Sequence, residues 1–301
     1  MNRDTILEAL KTEGHEQFAD EVTALVQPAM FIRTTKLARR PPWFEGVEED
    51  VEFDEETGEA LPPGPSVDEA LPALPLGASR FGGLPDMPPG AVWPVRDSIP
   101  MEFVAQIRLA DVSGMDPLAR LPQRGSLLFF YNSQWQTTDY GEGVCAAVLF
   151  HDGDDDALVR TAAPRVPYRG EYDPQPRFAP FVHGLAALSF SPIECVPGGE
   201  SPFITGPLAK VWIDFCAVND TRWAPQGAEP YMSNRLLGYI DGQDQIGAHQ
   251  NGTADQLLLQ VDSDRGASFR WGDMDRLYFV LTKAELAARD FSKVRIYQLL
   301  G

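Results

Sequence analysis

The sequence holds two related stretches, RFGGLPD at residues 80–86 and RLLGYID at residues 235–241. Both have an arginine at the first position, a glycine at the fourth and an aspartate at the seventh. A glycine in such a setting marks a tight turn or a close backbone approach. The two stretches therefore predict that one kind of turn is built twice in the chain.

Two further matches follow in the same order. FVAQI at residues 103–107 resembles LLLQV at 257–261, and SLLFF at 126–130 resembles RLYFV at 276–280. The matched glycines are 155 residues apart, the glutamines 154, and the phenylalanines at the fourth position of the last pair 150. Ordered matches with similar spacing predict an internal duplication, and a glutamine within an apolar strand must find hydrogen-bond partners if it is buried.

Around these matches the chain alternates short apolar runs with turns, as its 26 glycines and 26 prolines indicate. Candidate strands lie at 29–34, 103–109, 126–131, 144–150, 158–161, 185–190, 210–217, 256–261, 276–281 and 293–299. Helices are predicted near the N-terminus and after a capping box formed by Thr282 and Glu285. The pattern predicts an α+β, β-rich fold with mostly antiparallel sheets, an internal duplication and N-terminal helices.

We expect three regions along the chain. Residues 1–40 should form N-terminal helices and a first strand packed on the core, residues 41–78 an acidic, proline-rich insertion, and residues 79–301 a core of two related β-rich halves, at about 79–200 and 201–301. The insertion has eleven acidic residues and no basic one, which is typical of a solvated segment. The alternative interpretation is an acidic arm for a basic partner.

Composition narrows the classes of function. A net charge of −19 disfavours nucleic acid as a direct ligand, because phosphate contacts need lysine and arginine. No apolar run approaches the roughly 18 residues of a membrane span, and the polar start lacks a secretion signal, so we expect a cytoplasmic protein that binds no membrane. Cys145, Cys195 and Cys216 form no CxxC pair and are expected to be free thiols.

Seven ordered motifs carry a family resemblance: SRFGGLPDMPPGAVWP, FVAQIRLADV, LPQRGSLLFFYN, LLGYIDGQDQI, LLLQVDSD, WGDMDRLYFV and DFSKV. Together they resemble the YwqG-like family, a bacterial domain of unknown function. The chain departs from it at Asn234, where members often have histidine, and at Asp275, where they often have glycine. The resemblance implies an α+β fold and an intracellular bacterial setting, but no activity. Some members resemble components of toxin–immunity loci.

Catalytic signatures are absent from the sequence. It has no GxSxG elbow and no P-loop, and its four histidines are isolated from one another, so we predict no catalytic residue, metal site or cofactor. Whether the protein is an enzyme is left open, with a non-enzymatic role favoured. The acidic run at residues 152–156 lacks the glycine and glutamate of a calcium loop and is interpreted as a solvated hairpin tip.

Repeated polar residues and tryptophans in apolar surroundings are the candidate binding residues. They are Arg80, Trp93, Gln106, Arg235, Gln260, Trp271 and Asp273. One interpretation is a pocket between the halves, where aromatic walls and a few polar groups orient a ligand. The other is architectural: the polar side chains satisfy backbone groups and the tryptophans fill the core.

Two functions follow as hypotheses. The first is a non-enzymatic protein-binding module, of toxin-immunity type, whose acidic surface attracts a basic protein partner. The second is a small-molecule-binding protein or enzyme with a site between the two halves. A monomer is slightly favoured.

Overall fold

The computed structural model describes residues 3–39, 64–132, 145–168, 177–199, 201, 203–219, 234–240, 255–271 and 276–298. The acidic stretch at 45–59 and the candidate residue Asp273 lie outside these ranges.

The helices and strands have the following bounds. The strands are β1 (Gln27–Ala38), β2 (Arg80–Gly82), β3 (Asp86–Met87), β4 (Val95–Arg96), β5 (Ile99–Pro100), β6 (Glu102–Arg108), β7 (Ser126–Tyr131), β8 (Ala146–His151), β9 (Val159–Arg160), β10 (Val166–Tyr168), β11 (Arg177–Ala179), β12 (Leu185–Cys195), β13 (Arg235–Leu236), β14 (Asp255–Asp262), β15 (Arg276–Thr282) and β16 (Arg295–Gln298). The α-helices are α1 (Arg3–Thr12), α2 (Ala19–Leu25), α3 (Val67–Ala70), α4 (Leu109–Val112), α5 (Gly206–Asn219) and α6 (Lys283–Ala288).

Ten of the strands form one antiparallel sheet in the order β16-β15-β14-β13-β1-β12-β2-β6-β7-β8. The sheet curves until its ends approach each other, so that the ring of Phe150 on β8 contacts Phe291, just before β16, at 5.4 Å between centroids. The β-rich, mostly antiparallel architecture predicted from the sequence is confirmed.

The concave face of this sheet encloses the main core. All six residues of β7 are buried, which explains why its sequence is apolar without alternation. Phe129 from β7 and Phe279 from β15 point into this core and meet with 5.2 Å between ring centroids. On the opposite, outer face, Leu128 and Phe130 pack beneath Trp93 in a smaller apolar cluster.

The two longest strands, β1 and β12, lie side by side at the centre of the sheet. Arg33 lies opposite Ser189, and the pairs on either side of this one are related by a spacing of 156 residues. The same spacing separates the residues at which the long strands meet the short ones. Met30 of β1 pairs with β13, and Ala186 of β12, 156 residues later, pairs with β2. Each long strand therefore pairs with the other long strand on one side and with one of the two short arginine strands on the other.

The ladders one further out, beyond β2–β6 and β13–β14, have the same irregularity on both sides. The register of β6 against β7 shifts between Phe103 and Ala105, and that of β14 against β15 shifts between Leu257 and Leu259. In both ladders the glutamine of the repeated motif follows directly after this bulge. A bulge inserts one residue and re-aims the side chains after it, so both glutamines are placed in the same way.

The repeated glycines occupy matching turns with positive φ, +66° at Gly83 and +84° at Gly238. A Cβ at Gly83 would lie 3.0 Å from the Leu185 side chain, and one at Gly238 would lie 2.9 Å from Ala29 and 2.5 Å from the sulfur of Cys195. Leu185 and Ala29 are themselves 156 residues apart. Conformation and space both require glycine at these two positions.

One predicted strand is wrong. Residues 210–217 belong to helix α5 rather than to a strand. The run is apolar and rich in β-branched and aromatic residues, which favours a strand. The buried residues of the helix, Leu208, Trp212 and Phe215, however, follow helical spacing. They pack with α1 and α2 in a separate helical layer.

The described end of the predicted insertion, residues 64–78, is packed on the sheet. Ser66 and Glu69 form a capping box that opens α3. Val67 and Leu71 are buried against Leu185 at the start of β12. A sequence pattern typical of a solvated loop therefore ends in a short helix that covers part of the core.

Two further features agree with the composition. None of the helices in the described parts of the chain has the length and apolar content that crossing a bilayer requires. Cys145, Cys195 and Cys216, all within the described residues, form no disulfide bond with one another.

Candidate functional site

Arg80, the first candidate arginine, is fully buried on the outer face of the sheet and donates all five of its N–H groups. Its Nε donates to the Leu84 carbonyl at 3.1 Å, and Nη1 donates to the Ala78 carbonyl and to Asp86 Oδ2, each at 2.9 Å. Its Nη2 donates to the Leu84 carbonyl at 2.5 Å and to Gln106 Oε1 at 3.3 Å. A ligand could reach this guanidinium only by displacing a buried hydrogen bond.

Asp86 is the centre of this network and is also fully buried. Its carboxylate accepts hydrogen bonds from Arg160 Nε on Oδ1 at 2.9 Å and from the Gly77 N–H on Oδ2 at 2.9 Å, in addition to that from Arg80. The Gln106 amide donates to Oδ2 at 3.3 Å, and Gln106 Oε1 accepts from the Asp86 N–H at 2.9 Å. One carboxylate is thus held by two guanidinium groups.

Burial and charge act in opposite directions on the pKa values of this network. Burial lowers the pKa of Arg80 to about 10, although the Asp86 carboxylate opposes that shift. Burial alone would raise the pKa of Asp86, but the charge of Arg80 and hydrogen bonds from Arg160, Gly77 and Arg80 outweigh it, so the pKa lies below its ordinary value. Both groups remain charged at neutral pH.

The second half contains a corresponding pair. Arg235 on β13 and Gln260 on β14 lie directly opposite each other, as Arg80 and Gln106 do on β2 and β6. Arg235 Nη2 donates to Gln260 Oε1 at 3.2 Å, and both side chains are buried.

Asp264, just after β14, is a buried carboxylate of the second half, as is Asp262, which pairs with Arg276 Nε at 2.8 Å. Asp264 accepts hydrogen bonds from the Asn234 amide at 2.6 Å, the Thr34 hydroxyl at 3.0 Å and the Ala267 N–H at 3.1 Å. Burial raises the pKa of Asp264 above its ordinary value, and hydrogen bonds from Thr34, Ala267, Asn234 and Gly266 reduce that shift without reversing it. All of these donors are neutral, which distinguishes this site from Asp86.

The residue before each arginine performs the same task in both halves. Ser79 Oγ accepts a hydrogen bond from the Arg108 N–H at 2.8 Å and donates one to Asp111 at 2.7 Å. Asn234 Oδ1 accepts from the Asp262 N–H at 2.7 Å while its amide donates to the Asp264 carboxylate. In each case one side chain joins the end of the glutamine strand to a carboxylate beyond it.

The two arginine–glutamine pairs do not share a site. Arg80 lies beside Ala187 of β12, which faces Thr35 of β1, whereas Arg235 lies beside Phe31 of β1. The two arginines are therefore three strand spacings and four residues apart, or roughly 20 Å. Both side chains occupy the outer face, and the core between the halves lies on the other side of the sheet.

The two candidate tryptophans occupy different clusters. The indole of Trp93 donates to the Met101 carbonyl at 2.8 Å and packs on Phe130 at the outer face. The indole of Trp271 donates to the Asp262 carbonyl at 3.1 Å at one end of the core. Both indole N–H groups therefore bond to backbone oxygens, as the architectural interpretation expects.

Trp271 belongs to a cluster in which residues of both halves meet around a histidine. His183 Nε2 lies 2.9 Å from Glu102 Oε2, and the two side chains are only 12% and 3% exposed. The imidazole contacts the rings of Phe269 and Trp271 at 4.8 Å and 5.3 Å between centroids, and Tyr131 closes the cluster against Trp271. A carboxylate that orients an imidazole can support acid–base chemistry or bind a polar ligand.

The sequence did not single out this histidine–glutamate pair. His183 and Glu102 are 81 residues apart and match no motif, so the sequence indicates only isolated residues. The only related feature is Gly184, which follows His183. A Cβ at Gly184 would lie 2.9 Å and 3.0 Å from the backbone oxygens of Ala267 and Ala38. That crowding is visible only once the fold is known.

Acidic groups within the described residues show no arrangement suited to a metal ion, since no three side chains of His, Cys, Asp or Glu gather there. The run at 152–156 is instead tied to neighbouring arginines. Asp155 pairs with Arg108 at 2.7 Å, and Asp152 pairs with Arg124 at 3.4 Å.

The fold and its buried networks define a β-rich protein built on one curved antiparallel sheet with a helical layer beside it. The model of the family described as a domain of unknown function, DUF1963, matches residues 79–298. Because the match covers more than half of the 301 residues, the chain belongs to this family. No curated protein matches the chain.

Proposed function

We propose that the protein is a non-enzymatic binding module for a basic protein partner. The observation that carries the proposal is the charge of the helical segment at residues 3–25, which holds six acidic and two basic residues. The exposed acidic residues are Asp4, Glu8, Glu16, Asp20 and Glu21. With a net charge of −19 on the whole chain, this surface attracts cations and accelerates the encounter with a basic partner.

The test compares capture by two charge-matched variants. The full chain is immobilised and exposed to lysate of its native organism at low and high salt. One variant neutralises the five exposed acidic residues of residues 3–25, Asp4→Asn, Glu8→Gln, Glu16→Gln, Asp20→Asn and Glu21→Gln. The control neutralises five exposed aspartates elsewhere, Asp97→Asn, Asp152→Asn, Asp154→Asn, Asp156→Asn and Asp290→Asn.

We expect the wild type and the control to retain the same basic protein at low salt, and the first variant to lose most of it. Capture should also fall steeply with salt, because exposed charges are screened beyond a Debye length of about 8 Å at physiological ionic strength. Capture that is insensitive to salt and equal in all three proteins would overturn the proposal.

The family setting sharpens this role. The seven motifs support assignment to the YwqG-like family, and with it a bacterial, cytoplasmic protein of toxin-immunity type. An immunity protein acts by tight, stoichiometric binding rather than by turnover, and such pairs include some of the tightest complexes known. A captured partner that is toxic alone and harmless when co-expressed with this chain would support the assignment; a partner without toxicity would remove it.

The internal duplication is part of the proposal. The 156-residue spacing through β1 and β12, the matching bulges and the two arginine–glutamine pairs support it. We infer that each repeat begins with its long strand and exchanges that strand with the other repeat. This arrangement explains why the two halves share one sheet instead of forming two separate domains.

A second candidate function rests on the His183–Glu102 pair, which is a buried imidazole and carboxylate enclosed by aromatic rings of both halves. It is a small-molecule-binding site or active site at this end of the core. Native mass spectrometry of the chain after incubation with a metabolite extract tests it. A retained compound that is lost in His183→Gln, while Gln123→Leu at an exposed site keeps it, would favour this function; no retained compound would remove it.

A further inference from the structure

Helix α5 has apolar residues on the side that faces solvent. Only two of its fourteen residues, Lys210 and Asp214, are charged. The buried side packs Leu208, Trp212 and Phe215 against α1 and α2. A helix that is apolar on all sides is expected to be covered on all sides, yet one side of α5 is open.

The open side is a continuous surface. At 100° per residue, the exposed residues among positions 206–218 of α5 fall on one arc, and they are Gly206, Pro207, Lys210, Ile213, Asp214, Ala217 and Val218. Ile213 is 48% exposed and Val218 is 63% exposed. The backbone of Gly199 crosses beside Ile213, where a Cβ would lie 3.1 Å from the Ile213 Cα, so the near edge of this surface is fixed by a loop.

Charge indicates which occupant fits this surface. The helical layer that presents it, residues 3–25 with α5, has seven acidic and three basic residues. A second copy of this chain would bring another −19 charge towards the first, which opposes self-association. A partner with its own apolar stripe and flanking lysines or arginines would satisfy both the apolar arc and its acidic surroundings.

We propose that the exposed side of α5 is the docking surface for a basic amphipathic helix of another protein. This inference rests on the proposed function and places the contact on a specific element. Ile213 and Val218 insert between the apolar residues of the partner helix, and Asp214 on the same arc and the net negative charge of the helical layer attract its cations.

The first experiment measures the affinity of the full chain for a defined probe, a fluorescently labelled amphipathic peptide of leucine and lysine. A peptide with glutamate in place of lysine controls for charge. The test variant is Ile213→Ser with Val218→Ser, which leaves the charge unchanged. The matched control is Val92→Ser with Leu118→Ser, at two apolar residues that are 80% and 61% exposed elsewhere on the protein.

We expect the leucine–lysine peptide to bind the wild type and the control equally, and the α5 variant about tenfold or more weakly, because two buried apolar contacts are lost. The glutamate peptide should not bind. Because both altered residues are exposed, thermal unfolding of the variants should match the wild type. Equal peptide binding by the α5 variant and the control would overturn the proposal.

A second experiment identifies the occupant directly. A photoreactive residue, Val218→p-benzoylphenylalanine, is placed on the full chain, and its crosslinks are read by mass spectrometry with the peptide present. A crosslink to the peptide supports the proposal. A crosslink to a second copy, or within the same chain, overturns it by showing that another occupant covers α5.

The two proposals fail in distinguishable ways. If the chain captures a basic protein and the α5 variant captures it equally well, the docking surface is wrong and the proposed function stands. If neither a basic protein nor the peptide binds, both are wrong.

Discussion

The two sides of the sheet each pair a buried arginine with a buried glutamine, but they hold buried acids with different electrostatic surroundings. In the first half, the carboxylate of Asp86 is held by the guanidinium groups of Arg80 and Arg160, each at 2.9 Å. In the second half, the carboxylate of Asp264 is held by neutral donors from Asn234 and Thr34. The backbone registers are alike, but the two acids stand at different positions: Asp86 ends the first arginine motif, whereas Asp264 follows the glutamine strand, as Asp111 does in the first half.

This comparison separates geometry from charge. Strand pairing places an arginine opposite a glutamine in both halves, but the pKa of the buried acid falls in one half and rises in the other. A buried carboxylate with cationic partners is stabilised in its charged form, whereas one with neutral donors is stabilised less than burial destabilises it. The framework therefore does not impose a single ionisation behaviour on its buried acids.

The largest expected effect comes from removing the acid of the ion-paired half. Asp86→Ala leaves two guanidinium groups buried without their carboxylate, and we expect a loss of about 3–5 kcal/mol in the free energy of unfolding, measured by urea denaturation. The double variant Arg80→Met with Asp86→Leu should recover part of that loss, because the fully buried charge of Arg80 is then removed together with its partner, and only the partly exposed Arg160 lacks its carboxylate. A double variant less stable than Asp86→Ala alone would contradict the account.

Replacing either repeated glutamine should lower the free energy of unfolding by less than Asp86→Ala does, and by similar amounts in the two halves. Gln106→Leu leaves the Asp86 N–H and the Ala78 carbonyl without their amide partners, and Gln260→Leu removes the acceptor of Arg235. We expect each variant to lose about 1–3 kcal/mol. Gln256→Leu, half-buried on the same strand as Gln260, serves as the control and should change stability by less than about 0.5 kcal/mol. Losses that differ strongly between the two glutamines would weaken the equivalence of the halves.

Replacing Ser79 or Asn234, the residues before the two arginines, should lower the free energy of unfolding by smaller amounts that differ between the two sites. Ser79→Ala removes the bonds to the Arg108 N–H and to the exposed Asp111, whose carboxylate water can solvate instead, and should cost about 1 kcal/mol. Asn234→Ala removes two bonds at a more deeply buried site and should cost about 2 kcal/mol. Chemical denaturation of both, with Ser113→Ala at an exposed serine as control, checks the order; a larger loss for Ser79→Ala would reverse it.

The smallest expected effect is a pH dependence of stability that has opposite signs for Asp86 and Asp264. The pKa of Asp86 is lowered on folding, so the stability lead of the wild type over Asp86→Asn should grow as pH rises from below its folded pKa towards the unfolded value of about 3.9. The pKa of Asp264 is raised, so the lead over Asp264→Asn should shrink as pH rises from about 3.9 through its folded pKa. Denaturation midpoints across acidic pH measure both, and leads that change in the same direction would refute the contrast.

The sequence predicted the placement of the repeated arginine, glycine and glutamine residues better than that of their surroundings. Repeated arginine, glycine and glutamine positions could be read from spacing because strand pairing and positive φ demand particular residues there. The pairing of β1 with β12 could not be predicted, since local patterns do not encode which strands pair across 156 residues. For the same reason, local sequence patterns did not indicate the pairing of His183 with Glu102.

Helix α5 shows a different limit. Over a run as short as residues 210–217, an apolar pattern is compatible with both a strand and a helix. The packing of Trp212 against α1 decides between them. Ser66 and Glu69 are the opposite case, because their capping box is local and could have indicated α3 from the sequence alone.

The central claim is that β1 and β12 lie together with their symmetric register centred on Arg33 and Ser189. Disulfide trapping tests it most directly. Directly opposed residues of antiparallel strands have Cα atoms about 4.5–5.5 Å apart, within reach of a disulfide, whereas diagonal neighbours lie about 7–8 Å apart. The account predicts that Arg33→Cys with Ser189→Cys forms a 33–189 linkage under mild oxidation and that Arg33→Cys with Ala187→Cys does not. A 33–187 linkage that forms as readily, or a 33–189 pair that stays reduced, would contradict it.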